Sequence, residues 1–397
     1  MFAYNARLAF KSLNDKPSLT ILMVAAIAVG LGLFMTMLTL GHQAGKIPIP
    51  HISQQIHLVQ LDNRELTADD ADNFNDMVEL TYQDSNNLLN LNIAGAEQTL
   101  AWNTYGILNV EQQDIQPQRS SIVATNQAFF NMFEVPFMYG KGWDTDADQF
   151  GQAVIVLTKA SNDYLFGGIN SVGQQVRLNT EVLTVVGVLD EWFLARKFYD
   201  RSYFQASPDQ AFVPSNFAFD NDLPRNARFD CWSTTNNPRK FTTNSLTELK
   251  TSECAWITYW AKLPAGSKED YQGQLGQYIE SQKSLGRFPR ENQYYLTNIN
   301  DQLATISGMG GRQQMLGMIS YMFFAVCLIN AVSILLAKFM RRTKEVSLRR
   351  ALGAKKRTIL QQHLLEVIFI GVIGGLFGIA FTYLGLQAML RVSLYAS

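Results

Sequence analysis

The densest group of charged side chains in the sequence lies at residues 341–366. Eight of the seventeen residues 341–357 are Lys or Arg, and Glu345 is the one acidic residue among them. Arginines such as Arg349 and Arg350 can form two parallel hydrogen bonds to a carboxylate or phosphate, and a carboxylate accepts hydrogen bonds from Arg, Lys or backbone N–H donors. The chemistry of this segment is therefore recognition by ion pairs and hydrogen bonds.

The same segment has the spacing of two short helices joined by a turn. Val346, Ala351 and Leu352 recur at helical spacing among the arginines, and Gly353 is a natural helix terminator. A second helical pattern begins two or three residues after Gly353. A helix, a glycine turn and a second helix predict a docking surface. The alternatives are charge that serves only to set membrane orientation, or contact with anionic lipid headgroups.

Three long uncharged runs must position this segment. They are Leu19–Gly41, Met315–Ala337 and Val367–Leu390, with 23, 23 and 24 residues. A helix needs roughly 20 apolar residues to cross a bilayer core. The sequence therefore predicts membrane spans at 18–42, 315–340 and 359–391. The first run is too long for the apolar part of a signal peptide and no small-x-small cleavage site follows it, so we expect a retained anchor.

Charge is unevenly distributed around these runs, and this predicts their orientation. Residues 42–314 carry 20 Lys or Arg against 31 Asp or Glu, whereas residues 338–357 carry nine basic residues and one acidic residue. Basic residues near span ends stay on the cytoplasmic side. We therefore predict a multi-pass protein of the bacterial inner membrane with a cytoplasmic N-terminus, an external domain at 43–314 and a cytoplasmic segment at 341–358. Residues 1–17 have the pattern of an amphipathic interfacial helix.

The basic segment resembles the signature of the MacB/FtsX-like family of ABC-transporter permeases, a pattern close to E-R-T-x-E-I-G-x-R-R-A-x-G-A between the second and third membrane helices. Arg341 stands where the family usually has Glu, and Ser347 where it usually has Gly. The resemblance implies that the segment seats in a cleft of a nucleotide-binding subunit and transmits its motion. The residues that would do so are Arg342, Glu345, Arg349, Arg350, Gly353 and Ala354.

The resemblance extends to the external domain through Val123–Asp144, Ala153–Gly168 and Val172–Asp190. It implies α-helical spans plus a large α+β extracytoplasmic domain. We expect two lobes in that domain, a membrane-proximal lobe from 45–115 and 252–312 and an inserted lobe from 116–251. The family has four spans, and the fourth helix is absent from this sequence. Either the sequence is truncated or its C-terminus lies outside.

Periodicity predicts several elements of the external domain independently of the resemblance. Val182, Thr184 and Val186 alternate with period two after a turn near Asn179 and Thr180, which indicates a hairpin. A strand is predicted at 57–62. Residues 255–263, 268–284 and 294–298 are predicted to form a strand, a helix and a strand.

Single residues in the apolar runs indicate how the helices pack. Gly371 with Gly375 and Gly374 with Gly378 form two overlapping GxxxG pairs in the third run, which favours close helix–helix contact. Asn330 is a polar residue in the second run, so we expect it to find a partner across a helix interface.

The cysteines allow one disulfide prediction. Cys327 lies in the second run and is expected to be a packing residue, whereas Cys231 and Cys254 both lie in the external domain. An even pair in an oxidising compartment favours a Cys231–Cys254 bond, with two separate thiols as the alternative.

Other chemistry finds little support. The sequence contains neither the G-x-x-x-x-G-K-[ST] phosphate loop nor the G-x-S-x-G nucleophile turn. Its four histidines have no metal-ligand spacing. The stretch DTDAD at 144–148 begins like a calcium loop, but Gln149 and Ile155 stand where that loop needs Gly and Glu. We predict no catalytic residue, no metal site and no cofactor held by this chain.

These expectations combine into a permease subunit of a MacB-like ABC transporter, without its own ATPase motifs. The resemblance implies cytoplasmic ABC ATPase subunits that bind the ATP, a second permease subunit, identical or different, and the lipid bilayer as partners, with no nucleic acid. Tripartite efflux of drugs, peptides or toxins would add a periplasmic adaptor and an outer-membrane channel. Lipoprotein extraction and FtsX-like control of a cell-wall hydrolase are alternatives within the family. A membrane-anchored receptor or sensor is the alternative from another class.

Overall fold

The structure is a computed structural model, and the chain divides into two units. A helical unit combines residues 1–46 and 308–397, and an α+β unit comprises residues 47–307. The residues described are 17–44, 49–63, 79–91, 95–110, 116–192, 197, 199, 208–225, 230–231, 246–290, 294–306, 309–341, 343–353 and 356–395.

The helices and strands follow in chain order: α1 (Pro17–Ala44), β1 (Ile56–Leu61), β2 (Leu80–Thr81), α2 (Tyr82–Asn90), β3 (Glu97–Asn109), β4 (Gln118–Thr125), α3 (Ala128–Met132), β5 (Phe137–Gly140), α4 (Thr145–Gln149), β6 (Val154–Leu157), α5 (Lys159–Phe166), β7 (Gln175–Leu178), β8 (Glu181–Leu189), β9 (Ala211–Pro214), α6 (Ser215–Asp220), β10 (Asp230–Cys231), α7 (Leu246–Lys250), β11 (Cys254–Lys262), α8 (Lys268–Lys283), β12 (Tyr294–Asn298), α9 (Ile299–Ile306), α10 (Met309–Arg341), α11 (Thr343–Ala351) and α12 (Lys356–Tyr395).

Among the described residues of the helical unit, three helices are long and apolar enough to cross a membrane. The apolar stretches are Pro17–Thr39 in α1, Gly317–Met340 in α10 and Ile359–Ala388 in α12. Each contains or overlaps one of the three predicted runs. Helices suit this role because their backbone N–H and C=O groups bond within the helix and leave no polar group for hydrocarbon to desolvate.

The α+β unit is built on one mixed sheet of twelve strands among the described residues. Its main path has the order β12-β1-β11-β3-β4-β9-β6-β8-β5, with β2 and β10 pairing β11 and β7 pairing β3 and β8. The β4–β9 and β6–β8 pairs are parallel, and the other pairs along the path are antiparallel. With the three apolar helices, this sheet confirms the predicted fold class.

Both faces of the sheet are buried at β1. In β1, Val59 and Leu61 belong to one hydrophobic cluster, whereas Ile56 and Leu58 belong to a second one. Successive side chains of a strand point to opposite faces, so the two clusters lie on opposite sides of the sheet. Every residue of β1 is buried, which explains why its sequence, IHLVQL, lacks a clear solvent-facing polar alternation.

Short-range hydrogen bonds set the ends of the helices. Thr81 precedes α2 and accepts a hydrogen bond from the N–H of Asp84, and Thr158 does the same before α5 for Ser161. Each side chain satisfies one of the N–H groups that a helix start leaves without an intrahelical partner. At its other end α5 stops at Gly167, whose φ of +67° is in the left-handed region that glycine adopts readily.

Several predicted elements are confirmed. The hairpin is β7–β8, with Leu178 opposite Glu181 and Asn179 at φ +54° in the turn. The strand predicted at 57–62 is β1, and the strand–helix–strand prediction corresponds to β11, α8 and β12. However, β1 lies between β11 and β12 in the sheet, so the two strands that flank α8 are not neighbours.

The two-lobe division stays a prediction. Strands β12, β1, β11 and β3 come from the predicted membrane-proximal lobe and form one contiguous half of the path, and the strands of the inserted lobe form the other. The halves are joined by the long β3–β4 ladder, and the hydrophobic clusters contain residues of both.

The disulfide prediction has support from the backbone. Cys231 in β10 lies directly opposite Cys254 in β11 in the antiparallel register. Cys254 is in a disulfide bond, and Cys327 in α10 is a free thiol. The predicted interfacial helix at 1–17 falls almost entirely outside the described residues.

Candidate functional site

The basic segment joins α10 to α12 and contains the short helix α11. We name residues 341–358 the coupling segment. Its described helix α11 begins at Thr343, and α10 is described up to Arg341; the Thr343 hydroxyl donates a hydrogen bond to the Met340 carbonyl, 2.5 Å away. A Thr hydroxyl commonly makes such a local bond to a carbonyl three or four residues earlier in a helix. Thr343 thus links the start of α11 to the last residues of α10.

A glycine turn ends α11. The N–H of Leu352 donates to the Leu348 carbonyl at 3.1 Å, and the N–H of Gly353 donates to the Arg350 carbonyl at 3.0 Å. Gly353 has φ +94°, and a Cβ placed on it would meet nothing within 4 Å. Glycine is required here by the backbone conformation and not by crowding. The turn ends α11 ahead of α12, which begins at Lys356.

An apolar pair at the end of α11 is open to solvent. Leu348 is 63% exposed and Leu352 is 81% exposed. They are four residues apart and therefore lie on the same side of the helix. Arg350 is also exposed. Arg350 is two residues from each leucine and therefore lies on a different side of α11, so we name Leu348 and Leu352 the docking face. Leu348 was not selected from the sequence, although its spacing to Leu352 could have indicated it.

The other residues predicted for this site are only partly described. Glu345 and Arg349 lie in α11, four residues apart, and their side chains fall outside the described part of the structure. Arg342 and Ala354 lie outside the described residues altogether. Helical spacing places Glu345 and Arg349 on one side of α11, and their role as coupling residues stays a prediction.

Helix α1 packs closely against α12 through two glycines. A Cβ on Gly374 would lie 2.9 Å from Cγ2 of Ile27, and a Cβ on Gly378 would lie 2.9 Å from Cδ2 of Leu31. A side-chain carbon cannot lie this close to another carbon atom. The absence of a Cβ on the two glycines therefore allows the backbones of α1 and α12 to approach closely. The second predicted pair, Gly371 and Gly375, faces open space, with nothing within 4 Å of either Cβ position; the sequence alone did not distinguish the two pairs.

Helix α1 also packs against α10. A Cβ on Gly30 would lie 2.8 Å from the Cβ of Cys327, and the Phe34 ring stacks on Phe324 with centroids 5.1 Å apart. Asn330 is exposed on α10, and its partner across a helix interface stays a prediction. Helix α1 thus contacts both helices that carry the coupling segment.

A buried ion pair joins α10 to α12 next to the coupling segment. Lys338 Nζ contacts Glu366 Oε1, and both side chains are 2% exposed. The rings of Phe339 and His363 lie beside the pair, with centroids 4.3 Å apart. The sequence showed only that Lys338 and Glu366 border the uncharged runs; it did not indicate that they meet.

Comparisons with known proteins match most of the chain. A family model described as the MacB-like periplasmic core domain matches residues 20–247, and one described as the FtsX-like permease C-terminal matches residues 317–397.

Curated relatives cover about two thirds of the chain. The macrolide export ATP-binding/permease protein MacB of Chromobacterium violaceum is 22% identical over 268 residues, which is 66% of this chain and 35% of the relative. The pyoverdine export ATP-binding/permease protein PvdT of Pseudomonas syringae pv. tomato is 27% identical over 264 residues, 66% of this chain and 34% of the relative. The chain thus spans about a third of the length of these relatives.

Solved structures match between 61 and 65% of the chain. The periplasmic region of MacB from Actinobacillus actinomycetemcomitans matches with a TM-score of 0.40 and 14% identity, covering 65% of this chain and 95% of that one. The extracellular domain of the noncanonic ABC-type transporter YknZ from Gram-positive bacteria matches with a TM-score of 0.37 and 14% identity, covering 61% of this chain and 100% of that one.

Proposed function

Because the chain belongs to the family of ABC-transporter permeases that combine a MacB-like periplasmic core domain with an FtsX-like permease C-terminal, we propose that it is the permease subunit of a MacB-type transporter. A separate cytoplasmic subunit binds and hydrolyses ATP. The coupling segment receives the motion of that subunit, and the α+β unit performs work on the other side of the membrane.

The docking face is the observation that carries this proposal. A soluble surface helix normally buries its leucines, whereas Leu348 in α11 and Leu352, just after the end of this nine-residue helix, are both exposed. Exposed apolar residues surrounded by charge are typical of a protein–protein contact. The Gly353 turn and the end of α10 hold this helix between two helices of membrane-spanning length.

The orientation in the membrane is part of the proposal. Net positive charge of the coupling segment supports a cytoplasmic location, where an ATPase would be available. The same rule supports a cytoplasmic N-terminus and a periplasmic α+β unit in a bacterial inner membrane. The described residues of the helical unit provide three helices for this arrangement, α1, α10 and α12.

The work outside the membrane is proposed to be export. Two relatives are named for macrolide export and pyoverdine export, which supports an efflux role with a drug, peptide or toxin as cargo. Such a role would involve a second permease subunit, identical or different, together with a periplasmic adaptor and an outer-membrane channel. Motion of the α+β unit, and not conduction through the spans, would then move the cargo.

The proposal is tested by co-purification of the tagged full-length chain from native membranes, followed by ATPase assays in proteoliposomes. Glu345→Lys, Arg349→Glu and Leu348→Glu are expected to leave the chain in the membrane and to reduce the co-purified ATPase. Loss of a hydrogen bond to a charged group changes binding free energy by about 1.5–3 kcal/mol, a roughly ten- to hundred-fold weaker association.

Lys356→Glu provides the matched control, because Lys356 is an exposed charge at the start of α12 and outside the family pattern. If the segment acts only through its total charge, Lys356→Glu will weaken the association as much as Arg349→Glu does. If every variant retains the ATPase like the wild type, the coupling segment has no docking role. A wild-type chain that co-purifies with no ATPase would favour the receptor alternative.

A further inference from the structure

The ion pair between Lys338 and Glu366 lies where the coupling segment is attached to its two supporting helices. Lys338 is in the last turn of α10, and Glu366 lies ten residues after the start of α12. Both residues fall within the stretches of these helices that are apolar enough to cross a membrane, Gly317–Met340 and Ile359–Ala388. The pair therefore crosses from one support of the segment to the other.

The surroundings of the pair keep both charges away from solvent. The Phe339 ring packs on His363, and Nδ1 of His363 lies 3.9 Å from Oε2 of Glu366. About one helical turn further from the coupling segment, a small apolar cluster joins the three long helices: Met23, Val24, Ile27, Ile334, Leu335, Phe369 and Ile370. The contacts thus change from apolar to ionic in the direction of the coupling segment.

An ion pair is unusual at a position where α10 and α12 only need to pack. A buried pair gains little over well-packed apolar side chains of similar volume, because both ions must be desolvated. Ionisable residues in membrane-spanning segments are rare and in general mark functional positions. The cluster around Met23 shows that these same helices can be joined by apolar contacts alone. A role in function accounts for the ion pair better than a role in stability.

We propose that the Lys338–Glu366 ion pair is a cross-brace that makes α10 and α12 move together when the coupling segment is displaced. This inference rests on the proposed function. In the described residues, α11 starts two positions after the last residue of α10, whereas the glycine turn at Gly353 lies between α11 and α12. Without a second connection, force on α11 would bend α10 and be absorbed by that turn. The cross-brace carries the same displacement into α12. Lys338 and Glu366 are positioning residues for coupling.

The first test measures the spacing of the two helices and needs no ATPase. Spin labels are attached through Met340→Cys and Leu360→Cys, both exposed positions, in a full-length chain in which Cys327→Ala removes the free thiol. Pulsed electron paramagnetic resonance in lipid nanodiscs gives the distance distribution. Lys338→Met and Glu366→Gln are each expected to broaden the distance distribution. The exchanged pair, Lys338→Glu with Glu366→Lys, is expected to narrow it again. Lys356→Met, which removes an exposed charge of the same segment, is the control and should leave it unchanged.

The second test measures coupling on the same variants. Each single variant is expected to retain the co-purified ATPase, since the docking face is intact, and to lose stimulation of ATPase activity in proteoliposomes. The exchanged pair, Lys338→Glu with Glu366→Lys, is expected to regain stimulation of ATPase activity. The apolar double variant Lys338→Met with Glu366→Leu separates packing from ion pairing and is expected to remain uncoupled.

The outcomes are distinguishable. An unchanged distance distribution in both single variants overturns the cross-brace. A changed distance distribution together with normal stimulation of ATPase activity also overturns it. So does normal stimulation by the apolar double variant, because the ion pair would then serve packing only. If no ATPase associates with the wild type, the proposed function fails, whereas the distance measurement still decides whether the pair sets the helix spacing.

Discussion

Arg287 forms a two-pronged ion pair with Asp84, in which Nη1 lies 2.9 Å from Oδ1 and Nη2 lies 2.8 Å from Oδ2. The same guanidinium contacts Glu253, with Nε 2.6 Å from Oε1. Asp84 is buried and also accepts a hydrogen bond from the Tyr278 hydroxyl at 2.6 Å. Arg287, just after the end of α8, thus connects Asp84 of α2 with Glu253, the residue before β11. Its removal would leave two carboxylates without their shared cation.

The first prediction follows from this network. Arg287→Met should lower the free energy of unfolding of the α+β unit by about 3–5 kcal/mol, because Asp84 would remain buried and uncompensated. Arg287→Lys should be intermediate, since an ammonium cannot form the fork. All six tryptophans lie between residues 102 and 260, so tryptophan fluorescence during denaturation of the full-length chain reports on this unit.

The control for the network is Lys283→Ala. Lys283 pairs with Glu280 at 3.0 Å, and the Glu280 side chain is mostly exposed. An exposed pair of this kind contributes at most about 1 kcal/mol. Equal effects of Arg287→Met and Lys283→Ala would show that the Asp84 contact has no special energetic weight.

The second prediction concerns pH. Burial, with a smaller effect of the Asp144 charge, raises the pKa of Asp148 to about 6, although hydrogen bonds from the Gln127 N–H and the Trp143 indole favour its charged form. The folded state therefore binds this proton more tightly than the unfolded state, where the pKa is near 3.8. The contribution of Asp148 to the free energy of unfolding is fully present below pH 4 and is lost as the pH rises through 6. The loss amounts to about 3 kcal/mol at most.

Thermal unfolding followed by tryptophan fluorescence between pH 4 and pH 7 measures this dependence. Asp148→Asn should flatten the pH dependence relative to the wild type, whatever its effect on stability at a single pH. Asp146→Asn, an exposed position of the same helix, should leave the dependence intact. A wild-type slope that persists in Asp148→Asn would assign the proton to another group.

The third prediction is the Cys231–Cys254 disulfide. Closing a loop of this length contributes about 3 kcal/mol in the chain-entropy estimate. A non-reduced digest should yield the two peptides linked, with the Cys327 peptide free and alkylated. Recovery of all three peptides unlinked would contradict the bond. Reduction should also lower the unfolding midpoint of the wild type and leave Cys231→Ser/Cys254→Ser unaffected.

The fourth prediction uses the two glycine pairs of α12 as matched variants. Gly378→Leu places atoms 2.9 Å or closer to Leu31 and should destabilise the helical unit by about 1–3 kcal/mol through overpacking. Gly375→Leu enters open space and should be neutral or slightly favourable, because leucine has the higher helix propensity. The fraction of full-length chain that stays monodisperse in size-exclusion chromatography after heating compares them. Equal losses would show that α1 and α12 do not pack at Gly378.

The fifth prediction is the orientation of the chain. A membrane-impermeant thiol reagent applied to intact spheroplasts should label Asp146→Cys and spare Lys355→Cys, in a background with Cys327→Ala. After the membrane is permeabilised, both positions should react. Labelling of position 355 together with protection of position 146 would invert the orientation and remove the basis for an ATPase contact at the coupling segment.

Local pattern determined much of this protein. The three uncharged runs, the basic segment between two of them and the glycine that ends α11 are properties of neighbouring residues, and so are the β7–β8 hairpin and the order β11, α8, β12. Hydrophobic period, charge and backbone preference act over a few residues, so they can be read without knowledge of the fold. Helices and strands arise at these places because the local preferences and the global fold agree.

Only the tertiary structure decided which distant residues meet. Alternation in β8 predicted a strand, but the fold buries Leu183 and Val185 and leaves Val182 exposed. It inserts β1 between β11 and β12, turns Gly374 and Gly378 toward α1 while Gly371 and Gly375 face away, and brings Lys338 to Glu366. Strand order, helix rotation and side-chain pairing depend on how whole elements pack their faces. A one-residue shift or a part turn of a helix would exchange these contacts without changing any local pattern.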